Sequence, residues 1–187
     1  MGEVAERLAD LTVTVSSPDG NIEAEVYGGR VRWLEFRPGA YQRYDESELA
    51  HQLERLATLA FVNHDRGVQK IMEDVGLHRP RGPAEARDEA HRRYLADLPN
   101  IHATGVGPRQ LVRFEATGLL NWRCDIVQGT LRQLSEQQFI AEVIDAAQAL
   151  LQQHRYETGL LRNEIFGLAW TEATKQRVRE RAAQRRW

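Results

Sequence analysis

The sequence predicts an α+β chain of two tandem ββ(β)α modules, antiparallel strands plus long helices, folded onto each other as an intramolecular pseudo-dimer. Three observations carry this. A run of short strands, a turn and one long helix over residues 11–77 recurs over residues 101–168, and a repeat of that length governs everything else in a chain. The matched points are turns and caps rather than generic apolar positions. Ser17-Pro18-Asp19-Gly20 stands against Gly107-Pro108-Arg109-Gln110, Glu25 against Glu115, Gly28 against Gly118, and Trp33 against Trp122 after a one-residue deletion. Finally, each unit of about seventy residues buries too little apolar surface to be stable alone, whereas two together fill the 187-residue chain.

Taken in order, residues 2–9 read as a short lead-in helix with Val4 and Leu8 on one face. From Leu11 the period drops to two. Leu11, Val13 and Val15 alternate with Thr12, Thr14 and Ser16, a half-buried strand. Pro18-Asp19-Gly20 is a turn. Ile22, Ala24 and Val26 form the next strand, and Gly28-Gly29 a tight hairpin. Val31 and Trp33 share one parity but Leu34 and Phe36 take the other, which predicts a bulge or a strand buried on both sides near Trp33 and Leu34. Asp45 with Glu48 predicts a capping box. The helix it opens carries an apolar stripe from Leu49 to Val75. Such a helix outruns a small sheet, so its far end is expected on the second repeat.

Residues 79–100 are a linker holding a short charged helix between Pro83 and Pro99. The second copy opens on a poor strand at residues 101–106. Better strands follow at residues 111–116 and 120–126, where Cys124 falls on the apolar parity as a buried small residue. Ser135 with Gln138 predicts a second capping box. Phe139, Ile140, Val143, Ile144, Ala147 and Leu150 then give a wider apolar face than in the first helix. Thr171 is positioned to cap a last helix. The expected division is a first module at 1–78, the linker at 79–100, a second module at 101–170 and a basic C-terminal helix at 171–187.

The composition is that of a globular protein, 42% hydrophobic and 28% charged, with a net charge of −2. That balance excludes a chain that coats nucleic acid with its whole surface. No apolar run reaches the length of a membrane span, and the first residues lack the basic-then-apolar order of a signal peptide. With a single cysteine there is no internal disulfide, so a cytoplasmic protein is expected.

The run Ser17-Pro18-Asp19-Gly20, Gly28-Gly29-Arg30-Val31 and Asp45-Glu46-Ser47-Glu48-Leu49 resembles the YbaB/EbfC family of nucleoid-associated proteins. The match is closest over residues 11–77 and fainter over residues 108–168. Members of that family pair as tweezer-like dimers and bind DNA without metal or cofactor, so the resemblance implies a duplicated, YbaB-like pseudo-dimer. Type VII secretion accessory proteins have a region of similar pattern, and there the implied role is contact with a protein partner.

For DNA contact the sequence singles out the one strongly one-signed stretch, with Lys175, Arg177, Arg179, Arg181, Arg185 and Arg186 set against Glu172 and Glu180. Cations there neutralise phosphates and release counterions. No reader residue for base edges accompanies them, so low sequence selectivity is expected. His64 and His154 match between copies, as do the two tryptophans, but no ligand set surrounds the histidines and no cofactor is expected. No nucleophile–base pair, phosphate loop or buried carboxylate pair stands out. The expectation is a non-enzymatic DNA-binding protein, with a protein-interaction module as the alternative.

Overall fold

The computed structural model describes residues 2–167 and is α+β, with two three-stranded antiparallel sheets and two long helices. Each half runs in the same order. In the first, helix α1 (Gly2–Ala9) precedes strands β1 (Thr12–Ser16), β2 (Ile22–Tyr27) and β3 (Arg30–Phe36), then helix α2 (Glu46–Asp74). In the second, α3 (Glu89–Asp97) precedes β4 (His102–Val106), β5 (Val112–Thr117) and β6 (Asn121–Ile126). The short α4 (Thr130–Gln133) and the long α5 (Glu136–Phe166) follow. Both sheets are simple meanders, in the orders β1-β2-β3 and β4-β5-β6.

The two halves keep register at an offset of ninety residues, visible in their hydrogen bonds. Val13 pairs with Val26 as Ala103 pairs with Ala116. The turn between the first strands closes by Gly20 donating to Ser17, and its counterpart by Gln110 donating to Gly107. Gly20 and Gln110 both have positive φ, so the second half forces a glutamine into the left-handed conformation that glycine adopts freely. Gly28 and Gly118 are also left-handed, and each amide bonds back to the start of its own half, at Leu11 and Ile101.

At the next turn the offset slips and recovers. Tyr27 pairs with Arg30 across a two-residue loop, whereas Thr117 pairs with Asn121 across three. The extra loop residue is cancelled by Arg32, left without a partner at a bulge in β3. Trp122 therefore corresponds to Val31, and Arg123 to Trp33. The alignment of Trp33 with Trp122 is corrected, because a one-residue slip in a strand sends side chains to the opposite face. The bulge lies slightly before the predicted position.

The long helices start as their caps direct. Asp45 accepts the Glu48 amide at 2.8 Å, one half of a capping box, while Ser135 and Gln138 form a complete one. The α2 helix ends in a Schellman arrangement, with Leu77 donating to Met72 and Gly76 to Glu73. Each helix crosses its own sheet and then lies along the last strand of the other half, α2 on β6 and α5 on β3. The apolar sides meet in one core shared by both halves, from Ile22, Leu49 and Leu53 to Val112, Phe139 and Leu150.

The far end of α2 does not rest on the second repeat, as its length had led us to expect. It packs on α1, where Arg7 pairs with Asp74 at 2.7 Å and Gly67 lies under Leu11. In the same way α3 covers the end of α5, with Tyr94 against Phe166 and Arg93 paired with Glu164. These lead-in helices pack against the long helices, α1 on α2 and α3 on α5.

Candidate functional site

The six cations of residues 175–186 lie outside the described residues. Within the described residues, two cations without an ion pair, Arg30 and Arg155, lie at the β2–β3 hairpin. An open groove there is lined by Tyr27, Arg30, Val31, Arg32 and Gln148. The hairpin comes from the first half. Gln148 comes from α5, where its side-chain amide donates to the Val31 carbonyl at 3.0 Å. Arg155, further along α5, reaches the Gly29 carbonyl at 3.4 Å. The groove is thus a seam between halves, and neither half builds it alone.

Its charges are unevenly satisfied. Arg32 pairs with Glu25 at 3.2 Å and lies over the Tyr27 ring, 5.6 Å from its centre. The Tyr27 hydroxyl donates to Asp10 at 2.7 Å. Arg30 has no ion pair among the described residues. Burial, and then the neighbouring Arg30 guanidinium, push Arg155 below the usual arginine range. Arg30 lines the groove and Arg155 reaches the hairpin carbonyl next to it, each without an ion pair among the described residues.

The equivalent seam in the other half is built alike and charged differently. Thr58 of α2, the counterpart of Gln148, donates to the Leu120 carbonyl at 3.4 Å. Asn121 stands for Arg30 and Thr117 for Tyr27. Asp65 stands for Arg155 and is engaged by Arg79 at 2.5 Å. Leu59, next to Thr58 in sequence, and Leu120, whose carbonyl accepts from Thr58, are both exposed.

The other residues marked in the sequence are placed as follows. Cys124 is buried under α2, its amide donating to Glu54 at 2.9 Å, and burial followed by the Glu54 and Asp125 charges pushes its thiol up, away from nucleophilic use. His64 and His154 are half-buried on their helices, and burial lowers both below the usual imidazole value. His64 lies against Gly29. Trp33 and Trp122 are half-buried, and the Trp122 indole donates to Leu119 at 2.7 Å. Among the described residues no group of three or more His, Cys, Asp or Glu side chains is arranged to hold a metal, and no helix is long and apolar enough to cross a membrane.

Glu142 escaped the sequence reading. It is fully buried, and its carboxyl oxygens accept the amides of Arg109 and Leu111 at 3.1 Å. Gly107 makes room for it, since a Cβ there would strike the carboxyl. The usable signal was Gly107 standing where the first copy has Ser17, beside an acid within an apolar helix face. No protein-family model matches this chain, and no curated protein sequence registers as its relative.

Proposed function

We propose that the chain is a non-enzymatic DNA-binding protein of low sequence preference, built as a tandem YbaB-like pseudo-dimer. The carrying observation is the segregation of charge. The net charge is −2, yet the segment after Thr171 sets Lys175, Arg177, Arg179, Arg181, Arg185 and Arg186 against two carboxylates. The remaining frame is therefore more acidic than the whole chain. Contact falls to a one-signed segment that meets phosphates rather than base edges, and low selectivity follows. The tandem reading is supported by the matching register of the first two strands in each half and by each long helix lying on the other half's sheet. A gel-shift titration at low salt tests the proposal. The intact chain should bind duplex DNA regardless of sequence, and removal of residues 171–187 should weaken it; no shift at micromolar protein defeats it.

A second reading, a protein-interaction or secretion-accessory module, is favoured by the exposed Leu59 and Leu120 beside the acidic seam at Asp65. Recovery of a protein complex without nucleic acid selects that reading instead.

A further inference from the structure

We propose that the groove at the β2–β3 hairpin is a second nucleic-acid contact, in which Arg30 and Arg155 hold a backbone phosphate between the two halves. This goes beyond the basic tail to a different site, and it rests on the DNA reading for its ligand.

Arg30 lines the groove, and Arg155 from α5 reaches the adjoining Gly29 carbonyl at 3.4 Å; neither has an ion pair among the described residues. Mutual repulsion makes that arrangement unfavourable in the empty protein, and an oxyanion seated between them relieves it. Guanidinium suits phosphate because its planar fork offers two parallel donors. Two carboxylates beside the groove are already occupied, Glu25 by Arg32 and Asp10 by the Tyr27 hydroxyl.

The repeat supplies an internal comparison. The same helix-on-hairpin seam occurs in the other half, where Asp65 replaces Arg155 and Asn121 replaces Arg30. The frame recurs and the charge does not, so positive charge is no by-product of the fold.

Position decides for nucleic acid over an acidic peptide. Arg155 and the basic segment belong to one continuous stretch of chain, since α5 runs on to Phe166 and the tail follows. Arg155 lies about 16 Å along α5 from Phe166 at 1.5 Å per residue. That span matches about five base-pair steps at about 3.4 Å each. A groove cation and a basic segment carried on one stretch of sequence suit a polymer with repeated anions.

The test is anisotropy of a labelled short duplex with full-length protein over a salt series. Arg30→Ala should flatten the dependence of log affinity on log salt by about one unit of slope, and the double variant Arg30→Ala/Arg155→Ala by about two. Arg30 is exposed and makes no ion pair among the described residues, so the single variant leaves the fold intact, which circular dichroism verifies. Asn121→Ala, in the equivalent seam, should change nothing. Tail-dependent binding with an unaltered slope in both arginine variants overturns the groove and spares the DNA reading. Loss of all binding in the wild-type protein overturns both. If a glutamate-rich peptide displaces the duplex as well as unlabelled DNA does, the groove is an acidic-peptide site and the proposal falls.

Discussion

The carboxyl of Glu142 accepts the backbone amide of Leu111 at 3.1 Å from a position with no solvent exposure. Its counterpart Gln52 reaches only the Asp19 amide, at 3.4 Å, because the first turn satisfies itself through Ser17 and Asp19. The second turn has glycine and arginine at those places, so the helix provides the acceptor. Replacing Glu142 by alanine leaves two part-buried amides without their acceptor and should cost about 2 kcal/mol, read as a fall in the urea midpoint. Gln52→Ala should cost less than about 1 kcal/mol.

Phe139 is the side chain through which the halves share their interior. It is fully buried and meets Tyr41 and Phe36, which belong to the other half. Phe139→Ala should remove about 4 kcal/mol. Because the core is common, Trp33 and Trp122 fluorescence should report one transition at one midpoint in both proteins. Separate midpoints would refute a shared core.

Acid should act through Asp19. Burial alone would raise its carboxyl, but hydrogen bonds from Ser17, Tyr44 and Asn21 outweigh that and hold it at about 2, against 3.8 when free. The fold therefore gains stability from this group above pH 3.8 and loses it as pH falls towards about 2. Asp19 is exposed, so solvent screening keeps the gain under about 1 kcal/mol. Asp19→Asn should flatten the stability profile in that window and leave it unchanged at higher acidity, where both proteins are neutral there.

The two histidines act at milder pH. Burial lowers both His64 and His154 below 6.5, so the unfolded chain takes up protons that the folded chain refuses. Their neutral forms favour the fold above pH 6.5, and that contribution is lost as pH falls below it. Unfolding midpoints from about pH 7 to about pH 5 should drop in the wild type and drop less in His64→Gln and His154→Gln.

Cys124 provides a probe of opening. With its thiol buried and its acidity suppressed, native protein should react with a thiol reagent only as fast as it unfolds. Prompt labelling in native buffer would mean that α2 does not stay seated on β6.

Alternation of apolar and polar residues, paired glycines and caps were local, and the sequence by itself determined them: the strands, the left-handed Gly28 and Gly118, and the helix starts at Asp45 and Ser135. Even the buried state of Cys124 followed from parity. The slip that moves Trp122 opposite Ala116 was hidden, because a loop insertion and a bulge cancel in the numbering and only the ladder reveals them. Tertiary structure alone decided that α2 lies along β6 and α5 along β3, since which of two similar apolar faces a helix covers depends on long-range packing. It likewise brought Arg30 to Arg155 across the seam and Glu142 under its turn. These groups are far apart in the chain, and charge and hydrogen bonding fall off with distance in space, which residue order does not record.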